Sequence, residues 1–343
     1  MKNKILIILM MIIVSMLHIG CSKEDNNQNL SRTEIIMGTP ISITIYEGGS
    51  DETLNKCFDK VSEIEDLVSI NKENTELVKL NENAGISKVK LSDISYNILK
   101  KGLEYSKLSN GSYDITIGPL VKLWGIGLEN ENVPSEDKIN EIIKYIDYKN
   151  VEIDDSTKEA FLSNKGMEID LGSIAKGYAA DEVVKILKQE EVNKAIVNLG
   201  GNIYALGSKD SKSNWKIGIQ DPFSNRGEVV GSIEVANKTV VTTGIYERFI
   251  EKDGIKYHHI LNPKTGYPYN TDIAGVSIIT DKSIDADALS TLVFTKGLDK
   301  GLKFVESLNN VDAIFVTNNK EIYMTKGIKA NFKLINDNFK VVD

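Results

Sequence analysis

Asp287 and Thr291 stand four residues apart in the stretch DADALST, so on a helix their side chains share one face. A carboxylate and a hydroxyl, joined by backbone carbonyls and water, suit a hard cation such as Mg2+. The plainer role, Asp285 or Asp287 capping a helix start, fits the same residues. A second stretch, IDLGSIAKGY at 169–178, could hold an anion. There a strand ends near Asp170, a Gly-Ser turn follows and a helix begins. Free N–H groups at a helix start attract anions, and Lys176 adds a positive charge one turn in. An ordinary helix start, with Ser173 as cap and Lys176 in solvent, accounts for it equally. Neither GxxxxGK[ST] nor GxGxxG occurs in the chain, which excludes those phosphate loops.

Four other stretches combine Gly, Asp, Thr or His with short apolar runs. GSYDITIGPL at 111–120 reads as a loop in which Asp114 is a turn-former, followed by a Gly-Pro turn with Trp124 behind it. The paired glycines of VNLGGN allow a tight bend or close approach to a ligand. In TTGIYER, two hydroxyls beside a glycine could hold a phosphate or ribose, or pair across a sheet. HHILNPKTGYP holds His258 and His259, which on a strand point to opposite faces, so one can face a site while the other faces away. A zinc site would need further imidazole or thiolate ligands, and the sequence offers none.

These six stretches, in this order and preceded by Met37-Gly38-Thr39, resemble the FAD:protein FMN transferase (ApbE) family from residue 37 to 291. The resemblance implies a Mg2+-dependent enzyme that takes FAD as substrate, transfers FMN to a Thr or Ser hydroxyl of an acceptor flavoprotein and releases AMP. It implies flavin-nucleotide contacts from Met37, Asn71, Ser112, Tyr113, Asp114, Asp170, Lys176, Thr243, His259 and Ile260. It implies metal contacts from Asp287, Thr291 and backbone oxygen around Ser173. Phosphoryl transfer needs charge neutralisation and in-line positioning, which Mg2+, Asp287 and Lys176 would supply. His259 and Asp287 are the candidates for taking the acceptor proton, and His259 has the more suitable ordinary pKa. Asn71 departs from the family pattern, which often has an aromatic there. Asn cannot stack on a flavin ring, so FAD hydrolysis to FMN and AMP becomes an alternative. A flavin-binding lipoprotein without turnover is a further one.

The elements that must position these residues follow from apolar periodicity. A strand pair interrupted at Gly38 is expected over 34–46, and helices over 51–70, 93–108, 135–146 (capped by Ser135) and 174–188. A hairpin is expected over 151–162, a strand over 194–198, one antiparallel sheet over 215–249, helices over 284–294 and 298–308, and short closing strands. Helices and antiparallel strands without a βαβ rhythm predict an α+β fold, with largely antiparallel sheets packed with helices in one compact, even bilobed, unit.

The chain has 343 residues, enough for a sizeable core, and 49 acidic against 41 basic ones. That balance argues against nucleic acid as a partner. Cys21 and Cys57 cannot build a disulfide framework. A basic start, an apolar run over 5–17 and Gly20 before Cys21 predict a signal peptide over 1–20 and a lipidated Cys21. A polar tether over 21–31 would join it to a flavin transferase domain over 32–343. The protein is then expected to be exported and lipid-anchored at the outer face of the bacterial cell membrane, on the periplasmic side where an outer membrane exists. An exposed membrane redox subunit would be a suitable acceptor there.

Overall fold

The computed structural model describes residues 29–342. The expected signal peptide, Cys21 and nearly all of the tether lie outside the described residues. The chain begins with β1 (Leu30–Ile36), β2 (Thr39–Glu47), α1 (Asp51–Val68), α2 (Glu76–Glu82), β3 (Val89–Lys90), α3 (Asp93–Leu108), α4 (Gly118–Trp124) and α5 (Glu136–Ile142). It continues through β4 (Val151–Asp154), β5 (Glu159–Leu162), α6 (Ala175–Gln189), β6 (Lys194–Leu199), β7 (Asn202–Leu206), β8 (Trp215–Gln220), β9 (Val229–Val235) and β10 (Lys238–Gly244). It closes with β11 (Phe249–Lys252), β12 (Ile255–His258), β13 (Ile273–Thr280), α7 (Ser283–Glu306), β14 (Asp312–Thr317), β15 (Glu321–Met324), β16 (Phe332–Leu334) and β17 (Lys340–Val341).

Nine strands form the main sheet in the order β1-β2-β6-β7-β10-β13-β14-β15-β17, antiparallel except where β17 pairs β15. Alternation along the central strands buries both faces. Val241, Val276, Ile278, Ala313 and Phe315 join the helical core with α1, α3, α6 and α7. Val240, Ile279, Ile314 and Val316 join a second core beneath the small sheet β16-β9-β8. Every residue of β13 is consequently buried, as a strand covered on both faces must be. A third cluster, around Leu120, Trp124, Ile139 and Leu261, lies where α4, α5 and the β11–β12 hairpin meet. The α+β expectation holds.

Three local expectations are revised. Residues 215–249 do not form one sheet: β8 and β9 belong to the small sheet, whereas β10 crosses into the main one. Strand alternation fixes which residues are buried but not which sheet receives them. The Gly-Pro segment is the start of helix α4, with Pro119 in its first turn and left-handed Gly125 ending it. Ser135 holds the N-cap position of α5 without a capping hydrogen bond, and the helix ends at Ile142 before a 3-10 turn. The two expected C-terminal helices are the halves of α7, divided at Gly297, where φ is 68°. Asp272 Oδ1 accepts the Leu298 N–H at 2.9 Å and so caps the second half.

Candidate active site

The helices α6 and α7 cap one another. Asp287 Oδ2 accepts the Gly177 N–H at 2.8 Å, one of the N–H groups at the start of α6. In return Asp181, in the second turn of α6, accepts the Ser283 and Ile284 N–H groups at 2.8 and 3.0 Å. The helices approach closely at Gly177, where an added Cβ would lie 2.3 Å from the Ser283 carbonyl oxygen. Burial pushes the Asp181 carboxyl up to about 6. The helix-capping roles expected of Ser173 and Asp285 thus fall to other residues. Ser173 instead donates its hydroxyl to Tyr113 Oη at 3.0 Å, and Asp285 accepts from Tyr105 and Lys101 at 2.7 and 2.9 Å.

This crossing leaves three oxygens free. Because Gly177 bonds to Asp287, the Ser173 carbonyl accepts no N–H among the described residues. Asp287 is 6% exposed, and its Oδ1 has no hydrogen bond among the described residues. The Thr291 hydroxyl, one turn further along α7, is likewise unpartnered there. Carboxylate, hydroxyl and carbonyl oxygens form a hard donor set that fits Mg2+, which typically completes its shell with water and substrate phosphate. No cluster of three or more His, Cys, Asp or Glu side chains occurs among the described residues.

Asp170 and His259 form the neighbouring wall. Asp170 Oδ1 accepts the Gly172 N–H at 2.7 Å. Burial raises its pKa, and that hydrogen bond with the charges of Lys176 and Arg248 opposes the rise. Lys176 Nζ lies 3.1 Å from the Gly172 carbonyl. The histidine pair divides as its strand position predicts. His258 is buried edge-on against Phe294, donating Nε2–H to the Tyr269 carbonyl at 2.8 Å and accepting the Ile260 N–H at Nδ1. His259 is half-buried, and its Nδ1 lies 3.3 Å from the Arg248 carbonyl. A carbonyl only accepts, so Nδ1 carries the proton and Nε2 keeps a free lone pair. Burial first, then the charges of Arg248 and His258, lower the His259 pKa to about 4.

The other candidates are each held by contacts of their own. Asp114 is the turn-former: it accepts from the Thr116 N–H and hydroxyl and from the Tyr148 N–H, at 2.7–3.0 Å. Ser112 Oγ pairs with Thr295 at 2.9 Å, and Thr243 with Ser290 of α7 at 2.7 Å. Ile260 accepts the Tyr269 N–H through its carbonyl. The Met37 N–H and the Lys72 ammonium, next to Asn71 in sequence, share one carboxylate, while Asn71 itself donates its N–H to Ser69 Oγ at 3.2 Å. Glu65 accepts the Met37 N–H at 2.7 Å, and its other oxygen pairs with Lys72 at 2.6 Å. Met37 and Gly38 form the tight turn between β1 and β2, both with positive φ, and Asn71 is exposed in the loop after α1.

Asn81 was not among the sequence candidates. Its amide accepts the Ile169 N–H at 2.7 Å and donates to the Ile169 carbonyl at 3.0 Å, clamping the residue before Asp170. A lone Asn on a short helix, 88 residues from its partner, carries no spacing signal. A recess of about 740 Å3 between α3, α6 and the start of α7 lies apart from this wall; Lys101, Asp181 and Tyr204 line it.

The sequence matches the ApbE family over residues 37–315. It is 35% identical to the FAD:protein FMN transferase of Klebsiella pneumoniae (strain 342), across 93% of this chain and 98% of that protein. It is 33% identical to the protein of the same name from Treponema pallidum (strain Nichols), across 93% of each. Among solved structures, the ApbE protein of Thermotoga maritima superposes with a TM-score of 0.81 at 31% identity, over 88% of this chain and 98% of that one. The flavin transferase ApbE of Vibrio cholerae shares the fold, with a TM-score of 0.79 at 24% identity over 89% and 99%. With the match spanning the hairpin turn at Met37, the α6–α7 crossing and the wall of Asp170 and His259, this chain belongs to the ApbE family.

Proposed function

We propose that the chain is a Mg2+-dependent FAD:protein FMN transferase. The observation that carries this reading is the α6–α7 crossing, which leaves the Ser173 carbonyl, Asp287 Oδ1 and the Thr291 hydroxyl without protein partners among the described residues, near the start of α6 that carries Lys176. In the reaction, the hydroxyl oxygen of an acceptor Thr or Ser bonds to the FMN phosphorus of FAD. The bond from that phosphorus to the bridging oxygen breaks, and AMP leaves with the bridging oxygen. The acceptor proton passes to His259 Nε2, whose lone pair Arg248 holds free by fixing Nδ1–H. Lys176 adds positive charge where the diphosphate becomes more negative. A Mg2+ bound by Ser173, Asp287 and Thr291 would neutralise diphosphate charge.

Asn71 supports a second reading, hydrolysis of FAD to FMN and AMP. It is exposed in the loop that Glu65 ties to Met37, and it offers no ring to stack on flavin. One assay separates the readings. The protein is incubated with FAD, Mg2+ and a flavin-accepting domain, and covalent flavin fluorescence, AMP and free FMN are followed together. A fluorescent acceptor band is expected, and its absence with a competent acceptor refutes transfer. Free FMN without acceptor, lost in Asn71→Tyr, marks hydrolysis; bound but intact FAD marks a binding protein without turnover.

Export and anchoring through acylated Cys21 complete the proposal and would put the site before acceptor domains at the outer face of the cell membrane. Metabolic labelling with a fatty acid tests this, since equal labelling of the parent and Cys21→Ala would refute the anchor.

A further inference from the structure

The chain has three arginines, and two of them sit in ion pairs: Arg32 with Glu34 and Asp51, and Arg226 with Glu247. Arg248 has no carboxylate within ion-pair distance among the described residues, and its guanidinium makes no hydrogen bond there. Its stem nevertheless has a defined seat. It lies over Gly127, where an added Cβ would stand 3.1 Å from Arg248 Cδ. Its carbonyl accepts both the backbone N–H of His259, at 3.1 Å, and Nδ1–H of the same residue.

The free charge bears on a particular place. Asp170 and His259 both feel it, and the same two residues feel Lys176. Two cations from separate parts of the chain thus act on one wall: Arg248 of the β10–β11 connection, bonded through its carbonyl to His259, and Lys176 of the first turn of α6, 3.1 Å from the Gly172 carbonyl; Glu168, the other carboxylate that acts on Asp170, is paired with Lys122. A ligand with two adjacent negative charges would balance them, and a diphosphate is such a ligand. The planar guanidinium can also meet phosphate oxygens through two parallel N–H bonds, which an ammonium cannot do.

We propose that Arg248 is a substrate-binding residue that grips the diphosphate of FAD, while Lys176 engages it from α6. This rests on the flavin transferase reading. It gives one residue two linked tasks, since the guanidinium holds the bond to be broken and the carbonyl holds the base that serves it.

The test is FAD binding by flavin fluorescence across a salt series, with inorganic pyrophosphate as competitor, for the parent, Arg248→Gln and Arg248→Lys. Arg248→Gln should weaken FAD and pyrophosphate each about tenfold, as loss of a partly exposed charged hydrogen bond does, and should flatten the salt dependence. Arg248→Lys should restore the salt dependence with only part of the affinity, and it serves as the folded control if the Gln variant is unstable. FAD binding within twofold of the parent, or weaker binding with an unchanged salt slope, overturns the proposal. A parent that binds FAD and transfers no FMN refutes the transferase reading and leaves the grip standing. A parent that binds no FAD refutes both.

Discussion

Replacing Gly177 by Ala asks whether the α6–α7 crossing sets the site. The new Cβ would lie 2.3 Å from the Ser283 carbonyl oxygen and 2.7 Å from Ile284 Cα. Both are backbone atoms, so no side chain can rotate away, and α6 must retreat by roughly 1 Å to restore contact distance. Helix propensity alone favours the substitution by about 1 kcal/mol. Overpacking costs about 1–3 kcal/mol, and stretching the bond from Gly177 N–H to the Asp287 carboxylate costs about 1.5–3 kcal/mol. The expected net loss is about 1.5–5 kcal/mol. Urea unfolding measures that loss, and FMN transfer during Mg2+ titration measures the displacement of Asp287 from the Ser173 carbonyl. The Mg2+ requirement should rise. A variant as stable as the parent, with an unchanged Mg2+ requirement, would refute the reasoning.

Three further outcomes are expected. Asp287→Asn can still accept the Gly177 N–H but lacks the charge, so its urea midpoint should stay near the parent's while FMN transfer falls roughly 100- to 1000-fold; retained turnover would exclude Asp287 from the metal set. Burial keeps His259 neutral down to about pH 4, against about 6.5 in the unfolded chain, which takes up the proton first and draws stability away as pH falls between those values. His259→Gln should therefore gain about 3 kcal/mol on the parent from pH 7 to pH 4, and a difference independent of pH would contradict the burial of this ring. Cys57 is fully buried and its thiol is pushed up to about 12, so iodoacetamide at pH 8 should label it only in denaturant, and prompt labelling of the folded protein would refute its burial.

Much of this arrangement was legible in the sequence because it rests on short-range pattern. The break at Gly38, the span of α3 and the division of α7 near Gly297 follow from apolar spacing and glycine. The pairing of Asp287 with Thr291 on one helix face follows from a separation of four. What stayed hidden depends on contacts between distant segments. Asp181 looks like a surface residue of α6 until α7 is placed against it, and Asn81 has no feature that marks it as a clamp for Ile169. Ser173 has the right type and place for a cap, yet Tyr113 takes its hydroxyl and Asp287 supplies the bond to the helix start. The crossing into the main sheet at β10 is hidden for the same reason, since neighbouring strands in sequence give similar alternation whichever layer they join.

The exchange of caps between Asp181 and Asp287 makes Lys176 and Thr291 members of one cooperative unit. Neither helix start can fray without stripping the other of its acceptor. The two regions should therefore share a single opening equilibrium in amide exchange, and substitutions at the two aspartates should be strongly non-additive. For a chain whose segments at 169–178 and 285–291 lie more than a hundred residues apart, that coupling sets how inheritance can alter the site. A change on one side survives only in a background that already accommodates it on the other.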